Sequence, residues 1–208
     1  MISRENLDSG RSRQKQRTRV AILEAAARLL ERGERPRLAA AAEEAQISRA
    51  TVYRYFRSED ALVTEATLAH KFLPFEEILA RPAGEATEAP DLAAQAHRYL
   101  YGYARDHESE FRAFLRATLD LWLDSGGEMA ESPRAGRRIK LFETALEGVR
   151  DQIRPETYDR LCLVLPVLSG VEALVVTRDI CGRDANDGLE AIEWAVRTLV
   201  DAALKEGA

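Results

Sequence analysis

Two short apolar helical patterns, separated by only three residues, constrain this chain more than anything else in it. Leu38, Ala39, Ala41, Ala42 and Ala45 recur at helical spacing and make one apolar face. Val52 and Phe56 lie four apart and share the inward face of a second helix. Residues 46–48 are all that joins the two. A link that short makes the pair a helix-turn-helix, with Ile47 available to plug the corner.

The second helix has two faces of different character. Ser48 suits its N-cap, because the hydroxyl can accept a bond from an orphaned backbone N–H. Ala50, Thr51, Tyr53 and Arg54 point away from Val52 and Phe56. A small residue, a hydroxyl, a phenol and a guanidinium suit a DNA groove and its phosphates. Upstream, Ile22, Leu23, Ala26, Leu29 and Leu30 form a longer amphipathic pattern ended by Gly33, which suits a helix C-terminus. Downstream, Ser58 reads as an N-cap, with Glu59 and Asp60 as acids in the first turn of a fourth helix.

Residues from about 17 to 62 resemble the DNA-binding domain of the TetR family of bacterial transcription regulators. The residues that carry the resemblance are Thr18, Ile22, Leu23, Ala25, Ala26, Leu29, Leu30 and Gly33, then 42–45, then 48–56, then Ala61 and Leu62. Three departures stand out. Gln46 occupies a turn position where the family usually has Gly, which favours positive φ. Glu59 stands where members commonly carry a phosphate-binding Lys, and Arg57 could take that role. Arg37 lies near the usual Thr cap of the second helix; it cannot cap but could reach a phosphate.

The residue pattern and the resemblance together give a DNA-contacting set of Arg17, Thr18, Arg37, Ser48, Arg49, Ala50, Thr51, Tyr53, Arg54, Tyr55 and Arg57. Ala50 and Thr51 are expected near base edges or thymine methyls. Arg49 or Arg54 would reach a base or a phosphate, and Tyr53 and Tyr55 phosphates.

Charge divides the chain in the same way. Residues 1–57 hold thirteen Lys and Arg against seven Asp and Glu, a net of +6. The remainder holds seventeen against twenty-eight, a net of −11. An acidic whole chain therefore hides a basic N-terminal module, as expected if one end meets nucleic acid. Arg11, Arg13, Lys15, Arg17 and Arg19 carry no intervening acid. This arm could follow the backbone or a minor groove, or be a solvated tail. Contact is the stronger expectation for Arg17 and Arg19, beside the helix.

The N-terminus is charged and carries no signal-peptide pattern. Cys162 and Cys181 sit in apolar helical surroundings and read as free buried thiols in a reducing cytosol, consistent with a cytoplasmic location. The rest of the chain reads as helices without strands. A connecting helix is expected at about 59–79, a loop at 81–91, and helices at about 91–106, 109–124, 133–153, 155–181 and 187–206. Asp91 and Ser109 suit N-caps, Pro133 and Pro155 suit first turns, Gly126 and Gly127 mark a loop, and Pro166 should kink or break its helix. The expected fold is all-α: a three-helix helix-turn-helix DNA-binding domain followed by a larger helical ligand-binding and dimerisation domain. The domain reading is a flexible basic arm at 1–13, the DNA-binding domain at 14–58 with its helix-turn-helix at about 38–57, and the larger domain at 59–208.

In the resembled family the last two helices build a four-helix bundle across a two-fold axis. Leu174 and the seam Leu189, Ile192, Val196, Leu199 and Ala203 are the expected homodimer interface, the alternative being that the seam is the protomer's own core. Two reading helices on a two-fold axis would read a palindrome, roughly 34 Å apart or somewhat more. The family also holds a ligand pocket in its larger domain. Candidates here are Phe72, Tyr99, Tyr103, Phe114, Arg116, Trp122, Phe142, Leu168 and Glu172, for an apolar or amphiphilic small-molecule effector. Most aromatics at such spacing are plain core, and Arg116, Glu172 and Arg178 fit internal ion pairs equally well.

The resulting expectation is a dimeric repressor that binds a double-stranded DNA operator and is released by a small molecule. The competing classes are a helical adaptor that binds protein, and an enzyme. The chain has only His70, His97 and His107, and no Cys-x-x-Cys, phosphate loop or Gly-x-Ser-x-Gly. No catalytic residue, metal or cofactor is therefore expected, and no membrane span.

Overall fold

A computed structural model of the protein describes residues 4–80, 88–124, 126 and 136–207. Among these residues there is no strand, in agreement with the all-α expectation. The chain divides into two compact units, Met1–Phe72 with Arg112–Ser132, and Leu73–Phe111 with Pro133–Ala208.

The first unit contains α1 (Arg4–Glu31), α2 (Leu38–Glu44), α3 (Arg49–Tyr55) and α4 (Glu59–His70). Its core is the set of faces that the apolar spacing gives. Ile22, Leu23, Ala26 and Leu29 of α1 meet Leu38, Ala41 and Ala42 of α2, Val52 of α3, Phe56, and Leu62 and Ala66 of α4. Ile47 packs against this cluster from the corner between α2 and α3. α1 ends in a Schellman turn. The amide of Glu34 donates to the carbonyl of Leu29, and that of Gly33 to Leu30, with Gly33 at φ +75°.

α1 starts earlier than expected. Residues 4–13, read from the sequence as an arm, are its first turns, while residues 1–3 lie outside the described residues. The segment contains no proline, and Gly10 weakens a helix without ending it. Conversely, the connecting helix expected over 59–79 stops at His70. Pro74 biases the residue before it away from helical geometry and itself starts the short α5 (Phe75–Ile78).

The second unit is built on α6 (Ala89–Asp106), α8 (Arg137–Leu146), α9 (Pro155–Val167), α10 (Val171–Val175) and α11 (Ala185–Gly207). A 3₁₀ stretch, Glu147–Gln152, extends α8, and a π-helical stretch, Val176–Ile180, extends α10. α7 (Glu108–Asp124) begins in this unit and has its remaining residues in the first. Pro155 opens α9 as expected. The single helix expected over 155–181 is broken. Pro166 sits in the last turn of α9, and the segment after the break is bent from it by 56°. The expected burial of the two thiols is overturned, since Cys162 is half-buried and Cys181 exposed. Asp91 is inside the first turn of α6 and pairs with Arg197 instead of capping. Ser109 likewise falls inside α7, which starts at Glu108. The expected loop at 81–91 falls largely outside the described residues, as do Pro133 and Gly127, and α8 begins only at Arg137. α11 starts earlier than expected because the Asp184 carboxylate accepts from the amides of Asn186 (2.7 Å) and Asp187 (3.0 Å). Those two bonds hold its carboxyl below the usual range.

Much of the expected dimer seam packs within this unit. Leu174, Val196 and Ala203 are buried, and Leu189 and Ile192 pack on a cluster of Tyr101, Ala104, Val171 and Leu174. Of the expected interface only Leu199 is exposed, while Leu189 and Ile192 are half-buried. A stripe at 3.6 spacing records which side of a helix is apolar, not which partner covers it. Here α6 covers it. Gly188 makes this approach close: a Cβ there would lie 2.3 Å from the Tyr101 hydroxyl and 2.8 Å from Oγ1 of Thr177. Those two hydroxyls are hydrogen-bonded at 2.7 Å.

Two polar networks tie the buried elements together. His97 of α6 is fully buried, with Nε2 3.3 Å from the Leu189 carbonyl and Nδ1 3.0 Å from the Ser169 hydroxyl. A carbonyl can only accept, so Nε2 carries the proton and Ser169 donates to Nδ1. Arg138 donates to the carbonyls of Pro166 (3.3 Å) and Ser169 (2.7 Å) and to both carboxylate oxygens of Glu172. It thereby ties the end of α9 to α8 and α10.

Candidate nucleic-acid interface

The geometry of α3 follows from two local devices. The first is its cap. Oγ of Ser48 accepts from the Thr51 amide at 3.2 Å and also lies 2.8 Å from the Thr51 hydroxyl. The second is the turn before it. The amide of Ile47 donates to the carbonyl of Ala42, and that of Gln46 to Glu43, which is the Schellman pattern again. That pattern needs a left-handed residue, and Gln46 supplies it at φ 56°. It is the only non-glycine residue at positive φ among those described. The departure noted at Gln46 is therefore one of residue type only; the backbone takes the conformation that glycine usually serves.

With Val52 buried against the head core, the opposite side of α3 faces outward. Arg49, Ala50, Tyr53 and Arg54 are exposed there. The Arg54 guanidinium lies 5.6 Å from the Tyr55 ring centre, and Tyr55 is half-buried against the core. Thr51 is also half-buried, and its hydroxyl is engaged with Ser48. Arg37 is exposed at the start of α2, with extended backbone and no side-chain cap bond, as expected. Arg17 is exposed on α1, while the Thr18 hydroxyl donates to the Gln14 carbonyl at 2.9 Å.

Several charged groups are already committed. Arg49 donates to Glu43 at 2.6 Å. Arg57, the suggested substitute for the missing lysine, pairs with Asp124. Arg19 is a structural residue, contrary to the expectation from its place in the basic run. It forms a two-bond pair with Glu65, both side chains only 11% exposed, and lies 4.7 Å over the Phe56 ring. Arg28 and Arg32 both hold Glu44, which holds its carboxyl below the usual range. None of these long-range pairs has a signal in the sequence. Arg19 and Glu65 are forty-six residues apart, and only folding brings them together.

Residues 22–66 match the family model for bacterial regulatory proteins of the tetR family. Over these residues the chain carries the DNA-binding domain of a TetR-family transcriptional regulator. The match begins at the first core residue of α1 and ends inside α4, so it spans the whole core of the TetR head described above. No curated protein matches the chain.

The expected pocket residues divide between the units. Phe72, Phe114, Arg116 and Trp122 belong to the first, and Tyr99, Tyr103, Phe142, Leu168 and Glu172 to the second. Arg116 is 85% exposed beside Asp120, so it lines nothing in its unit. Phe142 is fully buried core, and Glu172 is held by Arg138, which favours the ion-pair alternative. Arg178 likewise pairs with Glu108 at 2.5 Å. Tyr99 and Tyr103 are half-buried and stacked, with Phe111 edge-on to Tyr103 at 5.5 Å. The Tyr99 hydroxyl accepts from the Leu73 amide at 2.7 Å. Burial raises the pKa of both phenols, so they are neutral at physiological pH. Among the described residues, no group of three or more His, Cys, Asp or Glu could hold a metal ion, and no single helix is long and apolar enough to cross a membrane.

Proposed function

We propose that the protein is a homodimeric, cytoplasmic repressor that binds a palindromic DNA operator and is released by a small apolar or amphiphilic effector. The observation that carries this reading is α3 itself. It is a capped helix whose buried side is fixed by Val52 and whose exposed side offers Ala50, Tyr53 and Arg54. Arg17, Arg37, Thr18, Ser48, Arg49, Thr51, Tyr55 and Arg57 complete the proposed contact set, the cations binding phosphates and the short side chains approaching bases.

The dimer is supported by a surface other than the seam. Leu163 and Val167 on α9, Val176 and Ile180 on the π-helical stretch, and Trp194 on α11 are 71%, 64%, 45%, 77% and 70% exposed. Single exposed apolar residues are ordinary, but so many large ones on neighbouring elements of one unit mark an interaction surface. A second copy is the occupant that a palindrome-reading head requires. The effector site is supported by the stacked phenols of Tyr99 and Tyr103, neutral and half-buried, beside Phe111. Repression needs nothing further, because a dimer seated on an operator blocks polymerase by occupancy.

Selection of bound sequences from a random duplex library, followed by titration of the winner across salt, tests the reading. A near-palindromic winner is expected, with a log–log salt slope of about −6 if each subunit neutralises three or four phosphates. No enrichment, with no binding even at low salt, would overturn it in favour of a helical adaptor.

A further inference from the structure

Two cations of the proposed DNA-contacting set are held by carboxylates of the same unit. Arg49, the first residue of α3, donates to Glu43 of α2 at 2.6 Å, the two side chains being 65% and 69% exposed. Arg57, just beyond α3, pairs with Asp124 at the end of α7, 59% and 55% exposed. These pairs differ in kind from that of Arg19 with Glu65, whose side chains are both 11% exposed. A part-buried pair is costly to break, because each partner would be left as an uncompensated charge. An exposed pair is worth little and exchanges readily with other ions.

DNA presents such ions. A phosphate oxygen offers a guanidinium the same bonds as a carboxylate oxygen, in equally good geometry. Arg49 and Arg57 cannot serve both at full strength. Each must give up its acid, in whole or in part, to take a phosphate, and the acid is then left facing a negative backbone. Glu59 adds a further negative charge in the first turn of α4.

We propose that Glu43 and Asp124 are internal competitors of the DNA backbone. They hold Arg49 and Arg57 in the free protein and release them when phosphates arrive, which sets operator affinity below what the cations alone would give. The proposal rests on the DNA-binding reading of α3. It assigns a negative role in binding to two exposed residues outside the proposed contact set.

The test is a double-mutant cycle on the full-length protein with its selected operator duplex, read as dissociation constants at one fixed salt concentration. Glu43→Gln and Asp124→Asn keep side-chain shape and remove the charge. Each should tighten binding about twofold to fivefold, the range expected from releasing one exposed ion pair. The double variant should gain roughly tenfold, because the pairs share no residue. The decisive comparison is with the arginine removed. In an Arg49→Ala background Glu43→Gln should bring no gain, and in an Arg57→Ala background Asp124→Asn should bring none.

A gain that persists without the arginine would mean general charge repulsion, and the proposal would be wrong. Weaker binding in Glu43→Gln would mean that the pair positions α3 for DNA, which also overturns it. Unchanged binding in both single variants does the same. If the wild-type protein shows no salt-dependent DNA binding, the operator reading itself fails and the proposal falls with it, which separates the two failures.

Discussion

His97 makes the stability of the second unit depend on pH in a way that can be worked out from its surroundings. Burial lowers its pKa from 6.5 to about 4; the bond to the Leu189 carbonyl and the nearby Glu193 oppose the shift, and Arg98 adds to it. Glu193 and Arg98 are themselves paired at 2.6 Å, so their effects on the ring largely offset. The neutral ring satisfies both neighbours, whereas a second ring proton on Nδ1 would displace the bond that Ser169 donates. The unfolded chain therefore takes up a proton near pH 6.5 and the folded one does not until about pH 4. Stability is complete above pH 6.5 and is lost as pH falls through this window, to a total of about 3 kcal/mol. Between pH 7 and pH 5 the loss should be about 2 kcal/mol.

Carboxylates also titrate at the lower end of that interval, so a control is needed. His97→Gln supplies one, since its amide can donate to Leu189 and accept from Ser169 but does not ionise. Urea unfolding at the two pH values should show the wild type losing about 2 kcal/mol more than the variant. Equal losses would refute the reasoning. So would an imidazole resonance assigned to His97 that titrates near pH 6.5 in the native protein.

Four further outcomes are expected. Ser48→Ala removes the cap of α3 and should lower the stability of the head by about 1 kcal/mol in a thermal melt followed by circular dichroism; an unchanged melt would contradict the capping role. Gln46→Val places a β-branched residue at positive φ and should cost about 1–2 kcal/mol, whereas Gln46→Gly should stay within about 1 kcal/mol of wild type; similar unfolding midpoints for Val and Gly would contradict the turn geometry. Ile180→Asp with Trp194→Asp should shift the protein from dimer to monomer in sedimentation velocity, while Leu199→Asp alone should have the smaller effect; a persistent dimer would move the interface elsewhere. Tyr53→Phe combined with Arg49→Ala should weaken operator binding by more than about tenfold, since a phosphate-bonding phenol and a cation are both lost. A smaller loss would remove these two from the contact set.

Local chemistry by itself determined the head. The spacing of Ile22, Leu29, Leu38, Ala42, Val52 and Phe56 marks the faces that meet in its core, because a helix maps sequence spacing directly onto direction. Ser48 and Ser58 both cap the helices they precede, since a cap bond reaches only three residues. The left-handed turn at Gln46 follows from the bonds of its immediate neighbours, and the long apolar run breaks just after Pro166, where Gly170 takes φ +90°.

Tertiary structure alone decided everything that depends on which partner an element meets. Val196 and Ala203 could equally have faced a second subunit, and it is packing within the protomer that buries them and leaves Trp194, Ile180 and Leu163 outside. Arg19 looked like a DNA contact within a basic run until folding placed Glu65 and Phe56 beside it. Glu43 is six residues from Arg49, and Asp124 sixty-seven from Arg57. The reason is the same in each case. Periodicity, caps and turns are set by bonds a few residues long, whereas the partner of a charge or an apolar stripe is set by contacts between segments whose separation along the chain carries no trace of their meeting.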